Sequence, residues 1–65
     1  MAMVEGRTVK VGDWVCFKSD VEQSGKITRI SGDRLTLENP NGFQGGYIGG
    51  QEITTQMAGD CWIED

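Results

Sequence analysis

The feature that most constrains this chain is its punctuation. Short runs of alternating apolar and polar residues are cut by glycine-based turns before any of them reaches helical length. Arg34-Leu35-Thr36-Leu37-Glu38 is the cleanest run, with Leu35 and Leu37 on one face, between Ser31-Gly32-Asp33 and Asn39-Pro40-Asn41-Gly42. Thr8-Val9-Lys10-Val11, Trp14-Val15-Cys16-Phe17-Lys18 and Lys26-Ile27-Thr28-Arg29-Ile30 read the same way. Thr54-Thr55-Gln56-Met57 returns as a strand, Ala58-Gly59-Asp60 makes one helical turn, and Cys61-Trp62-Ile63-Glu64 closes. No stretch of about ten residues keeps apolar side chains at helical spacing. Ser31-Gly32-Asp33 is a tight hairpin signal, and Ser19 to Gly25 reads as a polar connection closed by Ser24-Gly25. The prediction is an all-β chain of five short strands, a small barrel or sandwich, and closing the sheet would remove most exposed strand edges.

Sixty-five residues suffice for a single domain, residues 1–65, with residues 1–7 as a flexible N-terminal segment. A chain so short has a small core and little room for a deep substrate cleft. Ten acidic against six basic residues give a net charge of -4, so the mean field repels phosphate backbones and suits solubility or a basic protein partner. No apolar run approaches the roughly 20 residues that span a bilayer, and no signal segment opens the sequence. The expectation is an intracellular, reducing compartment (the cytoplasm) and no membrane.

Catalysis finds little support. The chain has no histidine, the commonest general base and metal ligand. Cys16 lies in an apolar strand, where a thiol stays inert. Cys16 and Cys61 read as core or near-core residues, and a bridge between them stays open if the first and last strands pair. Asp20 and Glu22 read as solvated charge in one polar connection, lacking the rest of a calcium loop. The segment from Gly42 to Gly50 holds five glycines around Phe43, Tyr47 and Ile48. Without the Lys and following helix of a phosphate-binding loop, it reads as structural cover or as a binding surface. No enzyme, cofactor or metal is expected.

The aromatic residues are the sharper signal. If Val15 and Phe17 point inward, period 2 sends Trp14 and Cys16 outward; likewise Cys61 and Ile63 share a face that Trp62 does not. Two tryptophans are therefore predicted outside the central core. Either the 42–50 loop covers them, or Trp14, Phe43, Tyr47 and Trp62 form a protein-binding surface. Lys18, Lys26, Arg29 and Arg34, all on strands or strand ends, are the alternative, a basic stripe for nucleic acid.

The runs Val11 to Asp20, Gln23 to Ile27 and Ile30 to Glu38 resemble SH3-like barrel proteins of the KOW-like type, including small bacteriophage and prophage proteins. In such domains a Gly-Asp pair precedes the first core strand and a glycine ends the loop before the second. A Gly-Asp hairpin then joins the second and third. Met57-Ala58-Gly59-Asp60-Cys61-Trp62-Ile63 resembles the helical turn that leads into their last strand. The resemblance implies a five-stranded SH3-like barrel that is a non-catalytic binding module, encoded by a phage and acting in the host cytoplasm. It fits protein–protein contact best. A KOW-like nucleic-acid-binding domain is the alternative, although Asp20 and Glu22 stand where such domains carry basic loops. A third reading is a structural accessory protein docking on a larger assembly.

Overall fold

The computed structural model describes residues 2–63. Met1, of the expected N-terminal segment, and Glu64, of the expected closing strand, lie outside the described residues. The chain is all-β, in two antiparallel sheets. Strands β1 (Ala2–Val4) and β2 (Arg7–Val9) form a hairpin. Strands β3 (Trp14–Ser19), β4 (Val21–Ser31), β5 (Arg34–Glu38), β6 (Ile53–Met57) and β7 (Cys61–Trp62) form a five-stranded sheet in the order β6-β5-β4-β3-β7.

Local chemistry accounts for the turns. Glu5 and Gly6 both take positive φ between Val4 and Arg7, as a type I′ hairpin turn requires. Gly32 takes positive φ at the first central position between Ser31 and Arg34, the type II′ requirement. Between β2 and β3 the Asp13 amide donates to the Lys10 carbonyl and its carboxylate accepts from the Lys10 amide, each at 3.0 Å. That contact breaks the run after Val9, two residues earlier than the alternation of Thr8 to Val11 predicts.

Three expectations change. Residues 2–7, read as part of a flexible segment, form the first hairpin and its turn. Val4 and Val9 bury in the core, and the Glu5 carboxylate accepts from the Ile63 amide at 2.7 Å. The polar stretch from Ser19 to Gly25 is not a long connection. Asp20 alone turns the chain, at φ 70°, and β4 already begins at Val21. The expected closed barrel is not completed by hydrogen bonding. Among the described residues no ladder joins β6 to β7, which leaves the two at opposite edges of the sheet.

The core lies on the concave side of this sheet: Val15, Phe17, Ile27, Leu35, Leu37 and Cys61, with Val4, Val9, Phe43, Ile48 and Ala58. Thr28 is the extra residue of a β-bulge between the Ile27–Leu37 and Arg29–Thr36 pairs. The bulge resets the alternation, so Ile27 and Ile30, three residues apart, both face inward. Gly25 sits mid-strand because Leu37 and the Phe43 ring occupy the space over it: a Cβ there would lie 2.9 Å from Leu37 Cβ and 3.1 Å from Phe43 Cζ.

Candidate functional site

The glycine-rich segment forms a lid on the concave face. Phe43 and Ile48 insert into the core, and the Phe43 ring meets Phe17 edge to face at a centroid distance of 5.5 Å. The backbone closes on itself, with the Phe43 amide donating to the Gln51 carbonyl at 2.7 Å and the Gly50 amide to the Phe43 carbonyl at 2.9 Å. Gln23 clasps it from β4. Its side-chain amide donates to the Gln44 carbonyl and accepts from the Gln44 amide, both at 2.8 Å. Asn39 holds the near end, its side chain donating to the Ser24 carbonyl at 3.2 Å and accepting from the Asn41 amide at 2.9 Å. At the far end Gly45 passes so close to the Asp20 turn that a Cβ would lie 2.7 Å from the carboxylate.

This lid leaves the other face of the sheet uncovered. Phe43, proposed from sequence as part of a binding surface, is a core residue with 2% exposure, a correction that follows from the space Gly25 leaves. Tyr47 is 76% exposed, but its 3-10 turn, Gly46–Ile48, lies against Ser19 and Asp20 at the end of β3. Trp14 begins that strand, roughly 16 Å away along it. The remaining three residues of that expected surface, Trp14, Tyr47 and Trp62, are therefore not assembled around one point.

Trp14 and Trp62 do share a face. Cys16 lies opposite both Ser24 and Trp62, so Trp14, Cys16, Ser24 and Trp62 project from the convex side. Trp62 is then a diagonal neighbour of Trp14. Neither tryptophan belongs to the core cluster, and Trp14 is 52% exposed while Trp62 is half-buried. Beside Trp62 the sheet carries a hollow of about 300 Å³ lined by Cys16, Glu22, Gln23, Ser24 and Trp62. Cys16 is buried at its floor although it points away from the core. Glu22, Gln23 and Ser24 escaped sequence reasoning because Ser24-Gly25 reads as a turn. The alternation of Glu22, Ser24 and Lys26 would have placed Glu22 and Ser24 on the convex face, and Gln23 toward the lid, once a glycine was allowed inside the strand.

The register also settles the two cysteines. Cys16 pairs with Trp62 and Cys61 with Phe17, so their side chains leave opposite faces and no bridge joins them, although β3 and β7 do pair. The Cys61 thiol donates to the Met57 carbonyl at 3.4 Å. Burial, with smaller contributions from Asp60 and Cys16, pushes its pKa from 9.0 up to about 11. Such a thiol is a poor nucleophile near neutrality.

The basic candidates do not form a stripe. Lys18 stands opposite Glu22, and Lys26 opposite Glu38, so each faces a charge of opposite sign. Arg29 and Arg34 are exposed diagonal neighbours at the other end of β4, beside Asp33 of the turn. Among the described residues no helix is long and apolar enough to cross a membrane. Compared with protein-family models, with curated proteins and with solved structures, the chain matches none.

Proposed function

We propose that this chain is a non-catalytic, SH3-like binding module that recognises a protein partner through the convex face around Trp14 and Trp62. The observation that carries the reading is the hollow beside Trp62: an aromatic wall and a buried thiol floor on the side of the sheet that the core does not use. The SH3-like assignment is supported by the position of β7 beside β3, last strand against first core strand. The 3-10 turn Ala58–Asp60 directly before β7 supports it too.

The hollow is small, at the lower end of ligand pockets, and so suits one inserted side chain. Trp62 and Glu22 both line it, an aromatic residue and an acidic one. That pairing favours a lysine or arginine side chain, attracted to the ring by its quadrupole and to the carboxylate by charge. The net charge of -4 favours the same kind of partner.

The test is affinity capture from lysate, with and without nuclease, using the native chain and the Trp14→Ala, Trp62→Ala and Glu22→Gln variants. The expected result is a protein partner that survives nuclease and is lost or weakened at least tenfold by Trp62→Ala, with the fold intact by circular dichroism. Partners that vanish with nuclease, and are weakened instead by Arg29→Ala or Arg34→Ala, would replace this reading with nucleic-acid binding. Absence of any enriched partner would leave only the accessory structural role.

A further inference from the structure

The open edge of the sheet carries an inference of its own. The Asn39 amide donates to the Glu52 carbonyl at 2.9 Å just before β6, and the Ala58 amide to the Asp33 carbonyl at 2.7 Å just after it. Hydrogen-bonded and non-hydrogen-bonded pairs alternate along an antiparallel ladder. With the β5–β6 register, both ends give the same phase: Leu37–Thr54 and Leu35–Gln56 are the bonded pairs. Ile53, Thr55 and Met57 therefore aim their backbone N–H and C=O groups away from β5, at an edge that no other strand among the described residues pairs with. The Met57 carbonyl also accepts from Cys61 Sγ, which leaves its second lone pair.

Nothing in this strand defends that edge. Ile53-Thr54-Thr55-Gln56-Met57 has no charge or proline and no bulge, the devices that ordinarily block edge pairing. Ile53 and Thr55 are strong strand formers, and Ile53 and Met57 are 53% and 45% exposed on the convex face.

We infer that β6 pairs with β6 of a second copy of this chain, antiparallel and centred on Thr55. The sequence is self-complementary in that register. Outward-aimed backbone groups meet outward-aimed ones in the Ile53–Met57, Thr55–Thr55 and Met57–Ile53 pairs, about six hydrogen bonds in all. On the convex face Ile53 of each copy lies against Met57 of the other, and Thr54 meets Gln56 on the opposite face. In β5, Arg34 flanks Met57 and Glu38 flanks Ile53. Each row across the seam therefore ends in charges of opposite sign, one from each copy. An isologous two-fold contact requires this kind of self-match. The area is well below that of a standard interface, so the dimer is weak, with a Kd of about 10 μM to 1 mM.

Thr55 lies on the two-fold axis, which makes the test specific. Sedimentation equilibrium of the native chain from micromolar to millimolar concentration should show a monomer–dimer equilibrium. Hydrogen exchange should show the amides of Ile53, Thr55 and Met57 protected only at the higher concentration. Thr55→Lys and Thr55→Glu each place like charges face to face, and each should weaken association at least tenfold while folding normally. An equimolar mixture of the two should dimerise again. A native chain that stays monomeric at millimolar concentration overturns the inference. So does a dimer that both variants form undiminished, or one that leaves those three amides unprotected. Protection of the same amides only by a different protein's strand also overturns it.

Discussion

Adding one methyl group at Gly25 tests how the lid and the sheet are fitted together. Alanine in place of glycine inside a strand ordinarily stabilises by roughly 0.5–1 kcal/mol, because the unfolded chain loses freedom. Here the new Cβ would lie 2.9 Å from Leu37 Cβ and 3.1 and 3.2 Å from Phe43 Cζ and Cε1. Leu37 Cβ is fixed to the backbone of β5 and cannot retreat without moving the strand. The Phe43 ring is itself buried and already in edge contact with Phe17, so it has little room to give way. Overpacking of this kind costs about 1–3 kcal/mol. The net expectation for Gly25→Ala is a loss of about 1–2 kcal/mol.

That loss is large against a total stability of roughly 3–10 kcal/mol for a chain of this length. In urea it should lower the unfolding midpoint by about 1 M or more at unchanged slope, for a slope near 1 kcal/mol per molar. Phe43→Leu supplies the control. It removes the ring edge above Gly25 but leaves Leu37 in place, so Gly25→Ala should cost at least about 0.5 kcal/mol less in that background. A Gly25→Ala chain as stable as the native one would refute the packing argument. An identical cost in both backgrounds would show that the Phe43 ring is not the obstacle.

The other two predictions concern the lid and the thiol. Phe43→Ala should cost about 3–5 kcal/mol, whereas Tyr47→Ala, on the same loop, should stay within about 0.5 kcal/mol; equal losses by urea unfolding would contradict the assignment of Phe43 to the core. The Cys61 pKa is raised in the folded chain, so the folded state holds a proton that the unfolded state releases between pH 9.0 and about 11. Stability from this group is therefore complete below pH 9.0 and falls as pH rises toward 11. The shift sets an upper bound of about 2.7 kcal/mol, and solvent screening reduces the expected loss to about 1 kcal/mol. Comparing urea midpoints of the native chain and Cys61→Ala at pH 8 and about pH 10.5 isolates it; the same fall in both chains would remove Cys61 as its source.

What was legible in the sequence is what period 2 controls. Trp14 opposes Val15 and Phe17, and Trp62 opposes Cys61, because a strand has no other way to dispose neighbouring side chains. The tryptophans therefore lie outside the core, as alternation requires. The turn signal of a glycine misled at Gly25. Ser24-Gly25 carries a turn signal only while nothing else needs the space a missing side chain leaves, and here Phe43 and Leu37 need it. With β4 cut short, Glu22, Gln23 and Ser24 fell into a loop, and the hollow they line with Trp62 could not be seen. Phe43 and Tyr47 are a different case. Four residues apart in a glycine-rich segment, they follow no period that would tell the buried ring from the exposed one. Only the Gln23 clasp and the vacancy over Gly25 decide between them. The edge at β6 follows from the same kind of long-range fact. A five-residue strand without a charge is harmless inside a closed barrel, and it becomes an associating edge here because β6 lies at the edge of an open sheet, a fact of topology that no local sequence pattern displays.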